Sequence, residues 1–142
     1  MRVPLLRLAA AGLLALAIAA PANAGGSKVE IVLSIAGGAE TFVASGGFCP
    51  AGTATSSDFH FAGGGRAGTF HLVKTLVCDD GSGTLLIRVD AATANGAPQD
   101  QGGWSVEDGT GDWAGARGGG NIVGYFDRAV DIEDHYTGVI SR

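Results

Sequence analysis

The chain is predicted to be all-β and to close into an eight-stranded antiparallel barrel, on three observations. Glycine supplies 25 of 142 residues, against a usual share of about 7%, with no period of three that would indicate collagen. The glycines interrupt short runs rich in Val, Ile, Thr and Phe, the pattern of short strands joined by tight turns. After residue 24, no stretch of ten residues carries a helical stripe free of glycine. Eight short strands packed as two sheets leave four exposed edges, whereas a closed barrel leaves none. A β-sandwich is the alternative architecture.

The first segment is expected to lie outside the fold. Arg2 and Arg7 precede an apolar run from Leu8 to Ala20, and Ala22-Asn23-Ala24 offers small residues at the −3 and −1 positions of a cut. This is the pattern of a secretory signal peptide, residues 1–24, cleaved after Ala24. A stable membrane anchor is not expected, because Pro21 and the small-residue exit follow a run too short to span. Residues 25–142 then form a single domain of an exported protein.

The strands follow in order. Val29, Ile31, Leu33 and Ile35 alternate with Lys28, Glu30, Val32 and Ser34, which gives one apolar face until Gly37-Gly38 ends the strand. Similar runs occupy 40–45, 53–62, 67–77, 84–93, 101–107, 119–126 and 135–141. Turn chemistry lies between them at Gly46-Gly47, Gly63-Gly64-Gly65, Asp79 to Gly83, Asn95 to Pro98 and Gly109-Thr110-Gly111. An eight-stranded barrel is just wide enough to be filled by side chains or to hold one small ligand.

Cys49 and Cys78 are the only cysteines, and an even count in an exported chain predicts a disulfide. A hairpin turning through Gly63-Gly64 places the two opposite one another, with Ser57 opposite Phe70 and Thr55 opposite Leu72. The other face of these strands then carries Ser56, Asp58 and His60. A two-residue Asp80-Gly81 turn further places Asp90 opposite His71, whereas a four-residue turn from Asp80 to Gly83 places it opposite Val73. Ser56, His71 and Asp90 have the letters of a triad, but mid-strand residues supply neither a strained nucleophile nor an oxyanion hole.

Charge and spacing exclude several function classes. Loss of Arg2 and Arg7 lowers the nine basic residues to seven against fourteen acidic ones, and moves the net charge from −5 to −7. So acidic a chain has no basic face for nucleic acid. No metal site is expected: the three histidines lack two-ligand spacing, and neither Asp79-Asp80-Gly81-Ser82-Gly83 nor Asp108-Gly109-Thr110-Gly111-Asp112 matches a calcium loop. Gly118-Gly119-Gly120 lacks the Lys-Ser/Thr ending of a phosphate loop. Trp104, Trp113, Tyr125 and Tyr136 lie near turns, where aromatic rings are expected to plug the ends of a barrel.

The stretch Gly109 to Gly118 reads G-T-G-D-W-A-G-A-R-G, and a glycine-bearing strand and a closing Tyr136-Thr137-Gly138-Val139 strand follow it. This resembles the dirigent and allene oxide cyclase barrel superfamily, in particular its small secreted bacterial members. Gly109, Thr110 and Gly111 form the turn of the motif, Trp113 packs inward, and Gly118 lets the chain bend into the next strand. The resemblance implies a barrel that holds a small apolar ligand and uses no cofactor. Any chemistry would be isomerase- or cyclase-like, or dirigent-like, working by confinement and electrostatic steering. It nominates Asp112 and Arg117 as polar groups of the cavity, and it raises the expectation of a homo-oligomer. A solid interior of Val29, Ile31, Leu33, Phe59, Phe70, Leu72 and Ile87, with Arg117 in solvent, would instead point to a structural or protein-interaction module.

Overall fold

A computed structural model describes residues 25–64, 67–94, 96–127 and 131–142. The expected leader and its cut, together with Gly65 and Asn95 of two expected turns, lie outside them. The eight strands are β1 (Ser27–Ala36), β2 (Ala39–Gly46), β3 (Ala51–Gly64), β4 (Ala67–Cys78), β5 (Thr84–Thr93), β6 (Gln99–Gly109), β7 (Arg117–Asp127) and β8 (Asp131–Ser141). Each pairs antiparallel with the next, and β8 returns to β1, so the sheet is a closed up-and-down barrel. The only helical element among the described residues is one 3-10 turn, Gly111–Trp113. Among the same residues, no helix is long and apolar enough to cross a membrane.

Period-two patterning sets the inside. Val29, Ile31 and Leu33 of β1 are buried, as are Phe42, Leu76, Leu85, Ile87, Val89, Trp104, Ile122, Tyr136 and Ile140 on other strands. Phe70, Leu72 and Ile35 are partly buried against this core. Phe59, expected inside, is 62% exposed.

The two ends differ. At the end where β1 starts and β8 finishes, Phe48 packs edge-on against Trp113 with ring centroids 4.7 Å apart, and Phe42 stacks on Phe48 at 5.7 Å. The Cys49–Cys78 disulfide joins this layer. Trp113 therefore plugs the barrel as expected. Trp104 and Tyr136 instead meet inside it, ring edge to ring face at 6.4 Å, and Tyr125 is 45% exposed on the outer wall. The opposite end, the mouth, carries the β1–β2, β3–β4, β5–β6 and β7–β8 connections.

The disulfide is as expected, but the register offered for it is not. β3 and β4 run to Gly64 and Ala67, so the hairpin turns two residues later than the Gly63-Gly64 loop. Cys78 lies opposite Gly52, Ser57 opposite Val73 and Thr55 opposite Thr75. The bond reaches back from β4 to the β2–β3 connection, with Cα atoms 6.0 Å apart. A bulge between Ser57 and His60 shifts the register, with Asp58 at φ 52°. The asparagine-like geometry of an Asp side chain tolerates that conformation better than most.

Candidate functional site

The polar residues inside the barrel gather below the mouth, and each lies in phase with the apolar residues of its own strand. Glu40 sits two residues before Phe42 on β2, Lys74 between Leu72 and Leu76 on β4, Asp100 four before Trp104 on β6, and Asp134 two before Tyr136 on β8. The pleat turns all four inward. Lys74 is 1% exposed, Asp100 5% and Asp134 8%.

Lys74 is the centre of the group. Its Nζ donates to Glu40 Oε2 at 2.9 Å and to Ser56 Oγ at 2.8 Å, and it lies 3.9 Å from Asp134 Oδ2. Ser56 donates in turn to Glu40 Oε2 at 3.0 Å. Tyr136, wholly buried, donates its hydroxyl to Asp134 Oδ2 at 3.2 Å. Thr93 donates to Asp100. The ladder Asp100, Gly124, Asp134 across β6, β7 and β8 sets the last two carboxylates on either side of a glycine. A Cβ at Gly124 would stand 2.8 Å from Asp134 Oδ1 and 3.9 Å from Asp100 Oδ2. Only a residue without a side chain leaves both groups this position.

Two carboxylates, Glu40 and Asp134, thus flank one ammonium, and Asp100 stands beside Asp134 across Gly124. Burial pushes the Asp134 carboxyl above its ordinary range, and Lys74 and the Tyr136 hydroxyl only partly offset it. Burial raises Asp100 likewise, against the Thr93 hydrogen bond. It raises the Tyr136 phenol well above 10.0, with the Asp134 charge adding to the effect. The floor is therefore rich in acceptors and holds protons readily. It is suited to binding a hydrogen-bond donor or to exchanging a proton, and Ser56, engaged by both Lys74 and Glu40, is held in place and not poised as a nucleophile.

The residues nominated from sequence fall elsewhere. Asp112 and Arg117 are both exposed at the plugged end, far along the strands from the floor. The Gly109 to Gly118 stretch instead fastens that end: Thr110 bonds Thr84 through backbone and side chain, the Asp112 amide donates to Ser82 O at 2.8 Å, and Trp113 Nε1 donates to Ser82 Oγ at 3.3 Å. Gly111 has φ 62° beside the Ser82 carbonyl. Gly118 is the second residue of β7, opposite Ile140.

The Ser56, His71, Asp90 row divides. His71 and Asp90 are cross-strand partners and bond as expected, but on the outer wall, where Arg88 also reaches Asp90 at 3.1 Å. Ser56 lies opposite Lys74 and takes no part. Among the described residues, no group of three or more His, Cys, Asp or Glu side chains is arranged to hold a metal ion. Comparison with protein-family models, with curated proteins and with solved structures finds no match to this chain.

Proposed function

We propose that the protein is an exported binding barrel that takes a small, mainly apolar molecule at its mouth. The observation that carries this reading is a polar floor under an apolar rim: Lys74, Glu40, Asp134 and Asp100 below, and the half-buried Ile35, Phe70, Leu72 and Ile132 around them. Apolar walls with a few convergent polar groups are the usual make-up of a small-molecule site. The surplus of carboxylates selects a ligand whose head group donates hydrogen bonds, such as an amine or alcohol, over one bearing a carboxylate. The motif's resemblance to a ligand-holding barrel family supports the same reading, with the polar role passing from Asp112 and Arg117 to the floor. The secretory pattern of residues 1–24 and the disulfide support export.

Titration of the protein with a fatty amine, alcohol and acid of equal chain length, followed by tryptophan fluorescence, tests this. Trp104 packs on Tyr136, which bonds the floor, so occupancy should alter its emission. Binding in the order amine, alcohol, acid is expected; no saturable binding of any of the three would remove the reading.

A cofactor-free isomerase is the second reading, favoured by the raised carboxyl of Asp134 beside an apolar rim. A carboxyl raised by burial is better able to hold and pass on a proton than an ordinary one, which is what general acid-base catalysis of a proton shift uses.

A further inference from the structure

The Lys74 nitrogen is the one amine inside the barrel among the described residues, and the ligand reading makes no use of it as a nucleophile. β4 and β8 stand on opposite sides of the ring, with three strands between them in either direction. From those two walls Lys74 Nζ and Asp134 Oδ2 come to 3.9 Å, with side chains 1% and 12% exposed. The nitrogen gives its hydrogen bonds to Glu40 and Ser56 and none to Asp134. Asp134 meanwhile accepts from the Tyr136 hydroxyl on that same oxygen, Oδ2. An amine, a carboxyl group beside it and a second carboxylate bonded to the amine are the three parts that amide formation needs: nucleophile, electrophile and proton acceptor.

We infer that Lys74 and Asp134 condense to an amide, which becomes a covalent strut across the barrel floor. Glu40 takes one proton from the ammonium through the bond at 2.9 Å, and the freed nitrogen bonds Cγ of the protonated Asp134 carboxyl. The Tyr136 hydroxyl supports the charge that gathers on Oδ2. The Cγ–Oδ1 bond then breaks, and that oxygen leaves as water with its own proton and a second one from the nitrogen; the third stays on the amide. No electron acceptor is required. Glu40 releases its proton at the mouth, since it stands at the last of only four residue pairs that join β2 to β3 and its side chain is 16% exposed. Three further features favour the bond. Burial already holds the Asp134 carboxyl toward its protonated form. Confinement on facing walls replaces a bimolecular encounter. The product exchanges a costly buried ion pair for a neutral group, whose N–H keeps Glu40 and Ser56 as acceptors and whose C=O keeps Tyr136 as donor. The bond leaves Glu40 and Asp100 as the carboxylates of the floor, so it stands apart from the ligand reading and does not alter the head group that reading selects.

The mass of the purified protein, denatured and reduced, tests the inference. It is expected to fall short of the sum of its residues by one water, and Lys74→Arg, which keeps a cation but forms no such amide, should restore the full mass. Trypsin should leave Lys74 uncut and release residues 67–88 and 129–142 as one branched species. Glu40→Gln should slow closure about a hundred-fold or more, read from the mass of newly made protein over time. A wild-type chain of full mass overturns the proposal. So does a water lost elsewhere, with Lys74 cleaved as usual or joined to a segment other than 129–142. Closure of Glu40→Gln at the wild-type rate removes the proton acceptor and overturns the step as written.

Discussion

Asp100 and Asp134 face each other across Gly124, one contributed by β6 and one by β8, with only the glycine backbone of β7 between them. Two carboxyl groups so placed cannot both ionise at the ordinary cost, and the Asp134 carboxyl is raised partly by the charge of Asp100. The relationship makes the inside of the barrel a proton-holding site, and it ties that site to the stability of the fold.

Both acids have folded pKa values above the ordinary 3.8. The folded state then binds protons more tightly than the unfolded chain, so the contribution to stability is full below the unfolded value and is lost as pH rises through the folded value. Asp100→Asn, which keeps an acceptor for Thr93, should therefore stabilise the protein near pH 7 and give no gain below the unfolded value of 3.8. Urea denaturation at the two pH values measures this, and an equal effect at both would show that Asp100 ionises as it does in the unfolded chain.

Lys74→Met should cost about 3–5 kcal/mol near neutral pH, because it leaves Glu40 and Asp134 without their ammonium partner inside the barrel. The loss should shrink when Glu40→Gln is added. A double-mutant cycle by chemical denaturation gives the coupling, and strictly additive effects would mean the pair contributes nothing as a pair.

Gly111→Val should destabilise by about 1–3 kcal/mol or more, since φ 62° is hostile to a β-branched residue and the added Cβ would press on the Ser82 carbonyl. Asp112→Ala, at an exposed neighbour, should stay within about 0.5 kcal/mol. Thermal midpoints of the two variants make the comparison; equal midpoints would contradict the backbone conformation assigned to Gly111.

Replacing Cys49 and Cys78 together by serine should cost about 3–4 kcal/mol, the entropy of a cross-link between residues 29 apart in sequence. Thiol titration of the denatured, unreduced protein should find no free thiol. Two reactive thiols per chain would contradict the bond.

Strand count, order and most boundaries were legible in the sequence because glycine-rich turns and period-two runs are local signals. The disulfide was also legible, although the hairpin register that suggests it is not the one the strands adopt: a bulge at Asp58 and a turn two residues later displace β3 against β4, and neither leaves a mark that composition reveals. The floor was missed for a related reason. Lys74 stands in phase with Phe70, Leu72 and Leu76, and Asp134 with Tyr136 and Ile140, so each strand announces a charge on its buried face. Their convergence depends on registers across several strands, which no single run contains. Asp112 and Arg117 were nominated by likeness of motif, whereas the motif's glycines and Thr110 are occupied in fastening the plugged end.

The short seam between β2 and β3 gives the barrel an uneven resistance to opening. Four pairs hold it, where β4 and β5 share ten, and at its upper end the Glu40 carboxylate joins β2 to Ser56 of β3 and to Lys74 of β4. Amide hydrogens from Glu40 to Val43 would then exchange through a partial opening well before those of β4 and β5, which wait for global unfolding. Removing that one latch would loosen the ring where the fewest pairs hold it, so the barrel would open along a line before it unfolds as a whole.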